Sequence, residues 1–444
     1  MKKLAAIPYL TTRLFVSLAA VALLFVAGFF FPALAAVAKI ALFALVVLTA
    51  LDVWLLYRPR QGVAARREMP ERLSNGDDNE IKIHLENHYR FDVAAAVIDE
   101  LPFQFQLRDV AFKAGLAAGK TQTLVYSLRP VERGEYHFGV INVYASSPLG
   151  LVSRRFKLGS PAMAPVYPSY LQMRRYELYA VSNRLTEVGI KKVRRIGHTL
   201  EFEQIREYVS GDDYRTINWK AAARKAELMV NQYEDEKSQQ VYSVIDMGRA
   251  MKMPFAGMSL LDYAINASLV ISNIAIHKQD KAGLITFSNT LGAVVPADGK
   301  YAQMARILEV LYNQETAYLE SNYERLFAAI KHKIRHRSLI LLFTNFETLS
   351  SLQRQLLYLR KIAAHHLLVA IFFENTELTR MLEQPAATTE EIYLKTIAEK
   401  FAFEKRQIVK ELQRYGIHSI LTAPQRLTVS TINKYLELKA RGAI

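Results

Sequence analysis

Reactive side chains are sparse in this sequence of 444 residues, and their spacing closes off most catalytic chemistry. Cysteine is absent, which removes thiol nucleophiles, disulfides, redox dithiols and thiolate metal sites and accords with a reducing compartment. The ten histidines form no H-E-x-x-H pattern, and His365 and His366 are adjacent, so their side chains diverge. Gly257-Met258-Ser259 lacks the second glycine of a nucleophile elbow. Gly119-Lys120-Thr121 resembles the end of a phosphate loop, but Gly115 stands one residue too near for G-x-x-x-x-G-K-T and no helix-favouring sequence follows. These absences point to a non-catalytic protein without a cofactor. A membrane-bound hydrolase of unknown substrate is the alternative, and it requires a single essential nucleophile.

The densest constellation lies between residues 201 and 224. It reads Glu201-Phe202, Arg206-Glu207-Tyr208, Gly211-Asp212-Asp213-Tyr214-Arg215, Asn218-Trp219-Lys220 and Ala223-Arg224. Gly211 permits a tight turn, and Asp212 is placed to cap the segment after it. Arg206, Arg215 and Arg224 stand among the carboxylates of Glu201, Glu203, Glu207, Asp212 and Asp213, a composition suited to bidentate ion pairs. Trp219 is expected to pack against that network. Two roles fit: a structural clasp between neighbouring domains, or a docking surface for a partner.

The elements that position these residues fall into four segments. Residues 1–60 hold two apolar runs. Leu14 to Phe31 carries no charge, and at about 1.5 Å per residue it reaches roughly 27 Å, close to a hydrocarbon core. Pro32 breaks the pattern, Lys39 marks a short polar connection, and Ile40 to Tyr57 forms the second run, with Trp54 and Tyr57 placed as interfacial aromatics. Lys2, Lys3 and Arg13 precede the pair and Arg58, Arg60, Arg66 and Arg67 follow it, so the positive-inside rule sets both ends in the cytoplasm. The expected location is the inner, cytoplasmic membrane, with the lipid bilayer as a partner. Ala33-Leu34-Ala35 resembles a signal-peptide cleavage site, but the second run would still hold the body inside.

Residues 62–170 read as all-β. Ile81 to Leu85 alternates strictly, Leu124, Tyr126 and Leu128 share a face, and Val140 to Tyr144 is rich in β-branched and aromatic residues. Several short strands separated by turns predict an immunoglobulin-like β-sandwich. Residues 171–238 read as a charged connector carrying the 201–224 pattern. Its basic run, Lys191, Lys192, Arg194 and Arg195, lacks interleaved aromatics, so nucleic acid is not expected. The formal charge of +15 is spread along the chain and suits solubility or an anionic membrane surface. Residues 239–444 alternate apolar strands with helices, which predicts a doubly wound α/β domain around a central buried helix from Ser259 to His277. Its strand ends offer Asp246, Ser288, Asn345 and Glu374.

The 201–224 pattern resembles domain-of-unknown-function family 58, which pairs such a motif with a von Willebrand factor A-like domain. The resemblance reaches back through Arg129-Pro130, Arg133-Gly134 and Ser147-Pro148-Leu149-Gly150-Leu151, and forward to Asp246, Gly283 and Tyr435 to Gly442. It implies an accessory protein, an adaptor or scaffold beside a MoxR-type AAA+ ATPase, with no established enzymatic activity. A von Willebrand-type metal site needs Asp-x-Ser-x-Ser, a loop threonine and a later aspartate, which together supply oxygens to a hard cation. Here Asp246-Met247-Gly248-Arg249-Ala250 lacks both serines, Asn345 stands where the later aspartate is expected, and Arg249 opposes a cation. Asp246 and Asn345 therefore read as a degenerate remnant that holds no metal. Thr316 and Ser321 are the loop hydroxyls without an assigned place.

Overall fold

The computed structural model describes residues 8–107, 110–181, 200–235, 238–316, 318–386 and 388–443, with the side chains of 179–181, 200–204 and 232–235 outside the description. The basic run at 191–195 lies outside the described residues. The chain divides into two units, Met1–Tyr167 and Pro168–Ile444.

In the first unit, α1 (Thr12–Phe30) and α2 (Pro32–Tyr57) are both long and apolar enough to cross a membrane. The second begins earlier than the sequence suggested. Pro32 does not break the structure but opens α2, because its fixed φ suits the first helical position, where no N–H is needed. Lys39 consequently lies inside a helix, and Phe31 alone joins the two. The turn is tight: a Cβ on Gly28 would stand 2.8 Å from the backbone nitrogen of Ala35, so only glycine fits.

The strands of this unit are β1 (Tyr9–Leu10), β2 (Val63–Glu68), β3 (Leu73–Ser74), β4 (Asn79–Asn87), β5 (Val93–Asp99), β6 (Ala111–Leu116), β7 (Thr121–Leu128), β8 (Gly134–Phe138), β9 (Ile141–Ser146), β10 (Val152–Leu158) and β11 (Ala162–Tyr167). They form sheets ordered β1-β10-β9-β5-β6, β2-β4-β7 and β3-β11-β8, an immunoglobulin-like sandwich. Alternation drives it: Ile81, Ile83 and Leu85 of β4 are fully buried while Glu80 and Glu86 face water. Lys120, rejected as a phosphate ligand, sits in the turn between β6 and β7.

Asp52, near the end of α2, joins hairpin to sandwich. Its carboxylate accepts from the Leu151 and Val152 N–H groups, both at 2.9 Å, and from the Ser147 hydroxyl. The Thr11 hydroxyl donates to the Gly150 carbonyl at 2.6 Å, and the Arg154 guanidinium donates to the Leu56 and Pro59 carbonyls, each at 2.7 Å. The start of α1 and the end of α2 are thus held by one segment of the sandwich, residues 147–154.

In the second unit, α3 (Tyr170–Val181), β12 (Leu200–Glu207), α4 (Trp219–Lys225) and β13 (Met229–Asp235) replace the expected connector. Strands β12 and β13 pair antiparallel as a two-stranded ribbon, and Tyr176 of α3 is buried in the α/β core. Charge count misled here: a mostly polar helix needs only one apolar edge to dock. The α/β core has β14 (Gln240–Asp246), a small hairpin of β15 (Pro254–Phe255) and β16 (Met258–Ser259), α5 (Leu260–His277), β17 (Lys281–Phe287), β18 (Leu291–Asp298), α6 (Ala302–Tyr312), α7 (Tyr323–Lys333), β19 (Leu339–Phe343), α8 (Leu349–Ala363), β20 (Leu367–Phe373), α9 (Thr376–Glu383), α10 (Thr389–Arg414), β21 (His418–Thr422) and α11 (Leu427–Ala440).

Its sheet runs β18-β17-β14-β19-β20-β21, parallel except for the edge strand β18. The order reverses at β14: the chain leaves β14 for β17 on one side and leaves β19 for β20 on the other, which opens a switch point between β14 and β19 at the carboxyl edge. Helix α5 is long and apolar enough to cross a membrane, yet all of it except Tyr263 and His277 is buried inside this unit. Its all-round apolarity serves the core.

Candidate functional site

The 201–224 pattern folds as the β12–β13 ribbon and the turn between its strands. Arg206 at the end of β12 donates to both oxygens of Asp212, at 2.8 and 2.6 Å, in the bidentate geometry that planar guanidinium favours. Asp212 also accepts from the Val209 N–H at 2.9 Å, which closes the turn at Gly211, where φ is +112°. The Arg206 bond, reinforced by the Val209 N–H, holds the Asp212 carboxyl below its usual pKa. Since Asp212 is committed backwards, it does not cap the following segment. Asp213 does so, accepting from the Arg215 N–H at 3.0 Å. Asn218 then caps α4 through the Ala221 N–H and donates to Asn231 of β13 at 2.8 Å. Tyr208 donates its N–H to the Leu228 carbonyl at 2.8 Å across the ribbon.

Among the described residues, the network is smaller than its composition. Glu201 and Phe202 lie on β12, but their side chains lie outside the described residues. Arg215 and Arg224 are exposed and make no ion pair among the described residues; Arg215 lies over the Tyr214 ring instead, at 5.7 Å. Trp219 does not pack against an ionic network, because it begins a two-turn helix whose outer face carries it into solvent. It is 70% exposed and Tyr214 is 69% exposed. Three side-chain-to-backbone bonds, at Asp212, Asp213 and Asn218, therefore support a turn that carries two large aromatic rings and two arginines outward.

At the carboxyl end of β14, Asp246 is 3% exposed, and each of its oxygens is occupied. One accepts from the Gly248 N–H at 2.8 Å and from the Ser321 hydroxyl; the other accepts from Thr344 at 2.7 Å and Tyr323 at 3.3 Å. Tyr323 and Thr344 are themselves 2.7 Å apart. Burial raises the Asp246 pKa, and these four donors act against that rise. Gly248 explains how Ser321 reaches the site: a Cβ there would lie 2.1 Å from the Ser321 hydroxyl. The hydroxyl lost from the chain at 248 is thus replaced in space by one from a loop more than seventy residues away.

Asn345 does not join this cage. Its side-chain oxygen accepts from the Lys405 ammonium at 2.8 Å, and that ammonium also donates to the Phe346 carbonyl at 2.6 Å. Arg249, expected to oppose a cation, turns to Glu320 at 2.9 Å. The donor set does not fit a hard cation. One carboxylate whose acceptor positions are filled by four protein donors leaves no oxygens for six-fold coordination, and an ammonium occupies the neighbouring Asn345. Sequence reasoning missed Tyr323 and Lys405 entirely, and no local signal marks either. Ser288, another strand-end residue, is buried and bonds Asn289 at 3.1 Å.

Residues 204–381 match the family model described as protein of unknown function DUF58. An uncharacterized protein of Bacillus subtilis strain 168, YeaD, is 29% identical over 201 residues, covering 43% of this chain and 49% of that protein. The chain therefore spans about half the length of this relative. Among solved structures, the CARDB domain of the PF1109 protein from Pyrococcus furiosus is similar over 24% of this chain and 92% of that one, at 13% identity and a TM-score of 0.17. The PapD-like domain 7 of human CEP192 is similar over 24% and 87%, at 19% identity and a TM-score of 0.18.

Proposed function

We propose that this chain is a membrane-anchored, non-catalytic adaptor that engages a MoxR-type AAA+ ATPase. The observation that carries the reading is the outward pair of Tyr214 and Trp219, held beside the exposed Arg215 and Arg224 by a capped, ion-paired turn. Aromatic and arginine side chains dominate the energetics of protein interfaces, and a rigid support lowers the entropy lost on binding. A structural clasp would bury these groups. The strand order, with a single antiparallel edge, supports a von Willebrand factor A-like domain, and the closed Asp246 cage makes any docking there independent of metal. The partner itself rests on the family resemblance.

Trp219→Ala and Arg215→Ala test the assignment in the full chain, solubilised in detergent and mixed with the ATPase with and without nucleotide. Each variant is expected to leave thermal stability within about 0.5 kcal/mol of the parent, as exposed substitutions do. Trp219→Ala is expected to weaken co-purification at least tenfold. Unchanged capture by both variants would refute the docking surface, whereas no capture of the parent would refute the partner.

A further inference from the structure

Beside the Asp246 cage, the carboxyl ends of β19, β20 and β21 open into a cavity of about 600 Å³. Its walls are apolar: Phe373 at a strand end, Leu378 and Leu382 of α9, and Leu394, Ile397 and Phe401 of α10 are among them. The acidic lining residues Glu347, Glu374 and Glu377 are exposed, so they form a wet rim. The buried Asn345 and the ammonium of Lys405 stand inside, the half-buried Asn375 and Thr379 add polar atoms from α9 and its cap, and Arg406 lines the cavity as an exposed residue.

The state of that ammonium is informative. It gives two hydrogen bonds, to Asn345 and to the Phe346 carbonyl, but both acceptors are neutral. No carboxylate of the described residues lies within ion-pair distance, and Glu347 alone acts on it from further away. Burial lowers its pKa from 10.5 to about 8, so at neutral pH it stays mostly charged. The ammonium lies 5.8 Å from the centre of the Phe372 ring, and its third N–H makes no hydrogen bond among the described residues, so this cation in an apolar chamber is a half-made ion pair. The chamber itself is of the size and character of small-ligand sites, which run to about 300–1,000 Å³ with few polar groups.

We propose that this cavity binds a free long-chain carboxylate, with the acyl chain among α9, α10 and Phe373 and the head group on Lys405. Charge complementarity chooses the class. An anionic head meets the inner ammonium, with Arg406 as a second, exposed cation, whereas a cationic head would find only the outer, solvated glutamates as counter-charges. A peptide would bring many backbone N–H and C=O groups into walls that offer few partners for them. The site is separate from the Tyr214–Trp219 surface, and the inference does not rest on the adaptor reading.

The full chain reconstituted in nanodiscs of neutral phospholipid allows a direct test with a photoactivatable palmitate, located by peptide mass spectrometry. Labelling is expected within residues 376–406, displaced by palmitate and not by hexadecanol at equal concentration. Lys405→Met is expected to lower that labelling at least tenfold, and Lys405→Arg to retain it. Ala402→Phe, which fills the space without removing the ammonium, is expected to abolish it and guards against a folding defect in the first variant. Labelling confined to α1 and α2 would overturn the proposal, as would equal displacement by hexadecanol. Preferential displacement by an apolar peptide would also overturn it, in favour of a peptide groove.

Discussion

At the carboxyl ends of β14 and β19, burial disfavours the charged form of two groups, the Asp246 carboxyl and the Lys405 ammonium. For Lys405 the sign follows from linkage. An unfolded lysine titrates near 10.5 and the folded one near 8, so between these values the unfolded chain binds more protons and stability rises with pH. Its charge therefore destabilises the fold at neutral pH by about 1–2 kcal/mol after solvent screening. Lys405→Met is expected to raise stability at pH 7, and its advantage over the parent should shrink as pH rises from 8 to 10. Parallel urea titrations of the two proteins measure that difference; a constant gap would contradict it. Asp246→Ala has the opposite effect. It strands the Ser321 hydroxyl and the Gly248 N–H and leaves Tyr323 and Thr344 only each other, with an expected loss of about 3 kcal/mol. Calorimetry of the parent with Mg²⁺ or Mn²⁺ is expected to show no saturable micromolar binding. Such binding, lost in Asp246→Ala, would restore a metal-dependent site.

Among the elements, legibility followed the range of the forces involved. Strand β14, helix α5 and the alternation in β4 were readable because their patterns are local: a short apolar run, an all-apolar helix, a strict period of two. Edge strand β18 was missed. Leu291 to Asp298 includes Gly292 and Pro296, and its burial is mixed, so nothing in its own sequence announces a strand. Helix α9 was hidden for a similar reason, having no buried residue. The ribbon was visible as a motif but not as a shape, because composition cannot say which arginine meets which carboxylate. Among the described residues, Arg206 and Asp212, six apart across one turn, are the pair that meets. Ser321 was legible only as a loop hydroxyl without a place, and Lys405 was not legible at all, since long-range topology brings them to Asp246 and Asn345.

At the scale of the whole molecule, the sandwich of the first unit grips both ends of its apolar hairpin. Asp52 accepts two backbone N–H bonds and a hydroxyl from residues 147–152, while Arg154 reaches two carbonyls at the end of α2. Tyr89 adds a further bond to this joint, donating to the Leu56 carbonyl at 2.7 Å. The start of α1 is fastened to the same segment, since Tyr9 and Leu10 pair with Ser153 and Val152. Both ends of the hairpin must therefore emerge on the sandwich side, in agreement with the arginines and lysines that flank them. Asp52→Ala leaves the Leu151 and Val152 N–H groups without an acceptor, with an expected cost of about 2–4 kcal/mol. Protease accessibility between residues 58 and 62 of the full chain in membranes should rise accordingly. A reporter fused after residue 444 is expected to be active only in the cytoplasm. Activity confined to the opposite face, in parent and variant alike, would overturn the orientation. Protection at 58–62 unchanged by Asp52→Ala would instead show that the remaining bonds of Arg154 and Tyr89 suffice to hold the joint.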